Sequence, residues 1–222
     1  MKFFVIALIF AVPIASIQAT ADEDVTITFN ITQSIELYEA SDWGEPAQAA
    51  IWLEDPATGN VRTVWVTSRT ATGNFLGKVE CPNSLPAWIG VFRAEFGRDD
   101  YPTPQKPIPD AVTGATTRAE KFSVKTTVPS GTTLNYYIEV NVSGDFNAAF
   151  ATFTDDGRPD QYGCGQPSLV YKGTIHAKKD ATSKPKIIGR TRRMIRSSEI
   201  INELTGIESA IHLYKHIEVI CE

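Results

Sequence analysis

A mainly β chain folding as an antiparallel β-sandwich with one or two short helices is what this sequence predicts, and three stretches carry the prediction. Val25 to Ile31 alternates apolar and polar residues with a period of two, as a strand with one buried face does. Ala49 to Glu54 and Val61 to Thr67 are rich in Ile, Trp and Val, and Asp55-Pro56-Ala57-Thr58-Gly59-Asn60 between them is a run of turn formers, so the pair reads as a hairpin. Lys121 to Val128 and Leu134 to Val142 repeat the pattern around Pro129-Ser130-Gly131-Thr132 and read as a second hairpin. Hairpins in series with turn signals between them point to two packed antiparallel sheets.

Composition agrees. The chain has 222 residues, 42% hydrophobic and 21% charged, with a formal net charge of −5; this suffices for a sizeable core and is unlike a disordered chain. The start, MKFFVIALIFAVPIASIQATADED, places a lysine, an apolar run from Phe3 to Ile17 and small residues in the order of a secretory signal peptide, with cleavage expected before Asp22. Residues 1–21 are therefore assigned as signal peptide, 22–180 as the β-sandwich domain, and 181–222 as a basic linker with a C-terminal helix or strand extension. The expected location is periplasmic or secreted. Three cysteines, Cys81, Cys164 and Cys221, permit one disulfide and a leftover thiol, and sequence does not fix the pairing.

Trp52 and Trp65 lie on the two arms of the first hairpin and read as core packing. Leu85 to Phe96 places apolar residues at 85, 88, 89, 92 and 96, a helical spacing with Pro86 suited to the first turn. That helix puts Trp88, Phe92 and Phe96 on one face, expected to be buried against the sheet, with the wall of a pocket for a flat ligand as the alternative. It leads into Pro102, Pro104, Pro107 and Pro109, which favour an extended course and deliver Asp110-Ala111-Val112-Thr113-Gly114-Ala115-Thr116 to the surface. Leu169 to Ile175 and Lys186 to Gly189 read as further strands, Ser198 to Leu204 as helical, and His216 to Ile220 as a strand or part of a helix.

Other candidates for chemistry are thin. Asp155, Asp156 and Asp160 share a polar loop but match no calcium-loop spacing. His212 and His216 stand four apart, without an evident third metal ligand. No Ser-His-acid signature and no phosphate-cradling glycine loop is present. From Lys178 to Arg196 eight basic residues face Asp180 alone, which makes a local field for anionic partners or a membrane surface, or simply an exposed basic loop. Nucleic acid is not an expected partner for an exported chain.

The segment Asp110-Ala111-Val112-Thr113-Gly114-Ala115-Thr116 resembles the acceptor motif of extracytoplasmic flavoproteins in which a flavin transferase attaches FMN covalently. The resemblance implies FMN on Thr116 through a phosphoester, with Asp110, Thr113, Gly114 and Ala115 forming the rest of the cofactor-binding segment. Gly114 and Ala115 leave space around the hydroxyl. A wider stretch, from residue 25 to 180, is similar to an uncharacterised family of periplasmic bacterial proteins, on Ala50 to Asp55, Gly59 to Val66, Leu85 to Trp88, the motif and Pro129 to Val142. That similarity implies an immunoglobulin-like sandwich. Together these imply an electron-transfer flavoprotein, a carrier rather than a stand-alone enzyme, with the flavin ring stacked on Trp88 or Phe92 and with a flavin transferase and a redox protein as partners. The alternative is a binding or structural module without cofactor, in which residues 110–117 are a turn before the strand at Lys121.

Overall fold

Val25, Ile27, Phe29 and Ile31 all point into the interior from strand β1 (Asp24–Gln33), as their alternation requires. The computed structural model describes residues 24–39, 47–76, 81–109, 113–114, 118–153, 157–159, 164–193 and 197–222. Strands β2 (Gln48–Glu54), β3 (Val61–Thr67), β4 (Thr113–Gly114), β5 (Lys121–Pro129), β6 (Thr133–Asn141), β7 (Leu169–His176), β8 (Thr182–Ser183), β9 (Lys186–Arg190) and β10 (Tyr214–Cys221) complete the sheets. Helices are short: α1 (Ile35–Glu39), α2 (Ser68–Thr72), α3 (Pro86–Phe96) and α4 (Ala210–Leu213), four among the described residues where one or two were expected. One sheet runs β5-β1-β10-β8 and the other β4-β3-β2-β6-β7-β9, antiparallel throughout except that β4 lies parallel to β3.

The sandwich core joins the two sheets. Ile27, Phe29, Ile31 and Val219 from the first sheet share a buried cluster with Ile51, Leu53, Tyr136, Ile138, Val140 and Leu169 from the second. Phe29 meets Tyr136 edge-on at 5.6 Å. The second sheet is buried on its other face too. Ala50, Trp52, Val66, Tyr137 and Val170 pack against Leu85, Trp88, Ile89 and Phe92, so α3 forms a third layer. Trp52 stacks on Tyr137 with centroids 5.2 Å apart, and the Trp88 Nε1–H donates to Thr63 Oγ1 at 3.2 Å. Burying a tryptophan of this kind removes about 200 Å² from water, worth on the order of 5 kcal/mol before side-chain entropy is charged against it.

The first hairpin forms as expected, with Leu53 opposite Arg62 and the Asp55 carboxylate accepting from the Ala57 N–H and the Thr58 hydroxyl in its turn. The second does not. β5 pairs with β1 in one sheet and β6 with β2 and β7 in the other, so Pro129 to Thr132 carries the chain across the sandwich instead of closing a hairpin. Ser198 to Leu204 is not helical: Ile201 exchanges backbone hydrogen bonds with Arg190 and extends the edge beside β9. Gly189 permits this approach, because a Cβ there would lie 2.2 Å from the Ile201 carbonyl oxygen. Residues 181–222 are woven into the sandwich, for β10 sits between β1 and β8 with Phe29 opposite Val219.

Cys81 and Cys164 are joined in a disulfide with their Cα atoms 6.1 Å apart, tying the loop before α3 to the approach of β7. Cys221 remains a buried thiol whose pKa burial pushes up. Among the described residues no helix is long and apolar enough to cross a membrane.

Candidate functional site: the sheet edge beside the threonine motif

The route into the motif is anchored, not simply extended. After α3 ends at Gly97 in the left-handed conformation, Arg98 lies over the Phe92 ring at 4.9 Å, bonds Asp100 at 2.8 Å and donates to the Lys106 carbonyl at 3.0 Å. Thr103 and Lys106 exchange backbone hydrogen bonds in a tight turn. The prolines therefore flank a bend instead of holding one polyproline-like course. Ile108 is buried in the α3 cluster, and its N–H donates to the Ala71 carbonyl of α2 at 3.0 Å. Gly73 (φ 61°) lets α2 close on this segment, since a Cβ there would meet the Pro102 carbonyl oxygen at 2.1 Å.

Past Pro109 the chain reaches the edge of the six-stranded sheet. Thr113 and Gly114 form β4, the outermost strand, with Thr113 opposite Val66 and Gly114 opposite Thr67. Asp110, Ala111, Val112, Ala115 and Thr116 lie outside the described residues. β3 behind β4 is held from its inner side: the Thr67 and Thr70 hydroxyls donate to Gln48 Oε1 at 2.8 and 2.9 Å, and the Ala49 N–H donates to Thr67 Oγ1 at 3.3 Å. This buried side-chain network fixes α2 onto β2 and β3.

Two guanidinium groups lie near this edge. The buried Tyr38 phenol is pushed above its ordinary pKa by burial, against which the charge and hydrogen bond of Arg118 and the charge of Arg69 act. Burial lowers the Arg69 pKa, with the Tyr38 interaction opposing. Arg69 belongs to α2, which packs against β4, and Arg118 stands two positions beyond Thr116. Both sites therefore favour negative charge in their neighbourhood.

The expected stacking aromatics are placed otherwise. Trp88 and Phe92 are fully buried, packed on each other at 5.6 Å and against the sheet, so neither presents a face to a flavin ring. Phe75, Phe96 and Tyr101 are partly exposed aromatic groups of this region.

The basic segment divides into two kinds of charge. Arg190 pairs with Glu203 at 2.9 Å and Arg192 with Glu199 at 2.9 Å, while the buried Arg193 donates to the carbonyls of Ala151 and Phe153. Lys178, Lys179, Lys184 and Lys186 are exposed. Arg196 and the aspartates 155, 156 and 160 lie outside the described residues. His212 falls on α4 and His216 on β10, so the spacing of four is not realised on one helix, and no metal-holding cluster occurs among the described residues.

Sequence reasoning missed Glu139. It lies on β6 with no solvent exposure, on the face turned towards α3, and accepts from the Trp88 N–H at 2.7 Å, the Ala87 N–H at 3.2 Å and the Ser168 hydroxyl at 2.5 Å. Ser168 also bonds Thr191 Oγ1 at 2.6 Å. Leu85, the residue at the helix start, caps nothing with its side chain, so Glu139 satisfies the first-turn amides from fifty residues away and meets the positive end of the helix. Burial nevertheless pushes its pKa up to about 7, with the hydroxyl and amide donors opposing. Asp145, held against the Gln166 N–H at 3.0 Å, is likewise pushed up to about 7 by burial. The available signal was an acid in the apolar run Tyr136 to Val142.

Comparison with protein-family models, with curated proteins and with solved structures finds no match to this chain.

Proposed function

We propose that this protein is an exported β-sandwich that carries FMN covalently on Thr116 and passes electrons between partners outside the cytoplasm. The observation that carries the reading is the position of Thr113 and Gly114 on the outermost strand of the six-stranded sheet, which sets the centre of the motif at a sheet edge with β3 on one side only. A phosphoester adds negative charge, and Arg118 and Arg69 would hold that charge beside Tyr38. Glycine and alanine at 114 and 115 are small residues beside the acceptor hydroxyl in the sequence. The flavin, when attached, supplies the redox chemistry; the protein contributes attachment, orientation and electrostatics. With Trp88 and Phe92 sealed in the core, the ring would rest on exposed surface near the sheet edge. The Cys81–Cys164 disulfide supports export to an oxidising compartment, periplasmic or secreted.

Co-production with a flavin transferase tests this. The processed protein is expected to gain the mass of FMN less water and to absorb visible light, and Thr116→Ala to lose both. Unmodified wild-type protein under those conditions overturns it. A second reading, a binding or structural module without cofactor, draws support from the burial of the stacking candidates, and predicts a colourless protein indifferent to Thr116→Ala.

A further inference from the structure

At the end of the sandwich where β2 turns into β3, the two sheets part. Leu53, Val61, Val128 and Leu134 line a cleft of about 240 Å³ there, with Arg62 at its rim. Leu53 and Val128 are core residues, 3% and 4% exposed, so the floor of the cleft is continuous with the sandwich interior. A cleft of this size lies near the lower end of small-ligand sites and suits a single short aliphatic chain.

The rim is asymmetric in charge. Arg62 is exposed, and its Nη2 donates to the Thr126 hydroxyl at 3.1 Å and the Thr127 carbonyl at 3.2 Å, strapping β3 to β5. Those bonds fix the guanidinium over the opening and leave its Nε and Nη1 N–H groups to meet an acceptor. Asp55 also lines the cleft as an ionised carboxylate, but the Ala57 N–H at 2.8 Å and the Thr58 hydroxyl at 2.9 Å bind its two oxygens into its own turn, which leaves Arg62 as the rim group that can receive an anion. An apolar floor with a guanidinium at the mouth suits a small amphipathic carboxylate.

We propose that this cleft binds a medium-chain aliphatic carboxylate, the chain between Leu53, Val61, Val128 and Leu134 and the carboxylate on Arg62. The site lies on β2, β3, β5 and the start of β6, and does not depend on any cofactor at Thr116.

The test titrates the full processed chain with octanoate, 1-octanol and octylamine, following amide resonances. Octanoate is expected to bind saturably, shifting residues around Leu53, Val128 and Leu134, with octanol weaker by at least tenfold and octylamine weaker still. Arg62→Met keeps the apolar stem but removes the guanidinium, and should bring octanoate down to the level of octanol. Leu134→Trp should fill the cleft and abolish binding of all three, with the dispersed spectrum showing that the fold persists. Absence of saturable octanoate binding, equal binding of octylamine, or octanoate binding unchanged in Leu134→Trp would each overturn the proposal.

Discussion

Glu139→Gln is the most informative perturbation of the folded state. In the native protein the carboxyl has no exposure and a pKa near 7, raised from 4.5. Its folded value exceeds its unfolded value, so the native state holds the proton more tightly. The stability this group contributes is fully present below about pH 4.5 and is lost as the pH rises through about 7. The rise from 4.5 to about 7 corresponds to roughly 3 kcal/mol across that window, with a slope approaching about 1.4 kcal/mol per pH unit. Asp145 titrates in the same direction over the same range and adds a second, smaller slope because it is partly exposed. Glutamine cannot ionise; its one oxygen can serve either the Trp88 N–H or the Ala87 N–H and Ser168 hydroxyl, so the variant is less stable at every pH and the comparison rests on the slopes. Urea unfolding of wild type and Glu139→Gln, with the disulfide intact, at intervals from about pH 5 to about pH 8, should show wild-type stability falling with pH and the variant losing the larger part of that fall. Equal slopes in the two proteins, or a wild-type stability that rises through this window, would refute the reasoning. Glu139→Ala is a control: it strands two helix amides in the core, leaves the Ser168 hydroxyl with Thr191 alone, and should cost about 4 kcal/mol near pH 5, a difference that narrows as the pH rises through about 7 because only wild type loses stability there.

Three further expectations follow from packing and covalent structure. Trp88→Ala, which removes the main contact between α3 and the sheet and leaves Thr63 Oγ1 without its indole donor, should cost about 4 kcal/mol by chemical denaturation; a loss below about 1 kcal/mol would mean α3 is not a true third layer. Cys81→Ser with Cys164→Ser should lower stability by about 3 kcal/mol, whereas thiol titration of the unaltered native protein should find Cys221 unreactive until the chain unfolds. Gly73→Ala places a Cβ against the Pro102 carbonyl at a left-handed φ and should cost about 2 kcal/mol by thermal melting, with faster proteolysis between residues 98 and 109.

Local chemistry made much of the fold legible. The alternation in β1, the turn from Asp55 to Asn60 and the helical spacing from Leu85 to Phe96 each hold their information within a dozen residues, and each formed as expected. What failed was non-local. Pro129 to Thr132 has the same turn chemistry whether the chain folds back within one sheet or crosses to the other, and the choice is made by β1 and β2, which lie far upstream. The tail from Ser198 takes its conformation from Arg190 and the Gly189 approach, not from the Glu199 and Glu203 spacing that suggested a helix; those two glutamates instead pair with Arg192 and Arg190. At the candidate site, the motif could be read from residue types, and helical spacing gave Trp88 and Phe92 a face to bury against the sheet, as they do; that burial removes the stacking role which the flavin resemblance implied for them. Glu139 was invisible because its meaning comes from the helix terminus that the fold brings to it.

Peptide mapping of protein purified after co-production with a flavin transferase bears most directly on the central claim. The peptide spanning Thr116 should carry FMN as a phosphoester and fragment to place the added mass on that threonine, with no flavin elsewhere in the chain. Recovery of that peptide unmodified, or flavin found on any other residue, would contradict it.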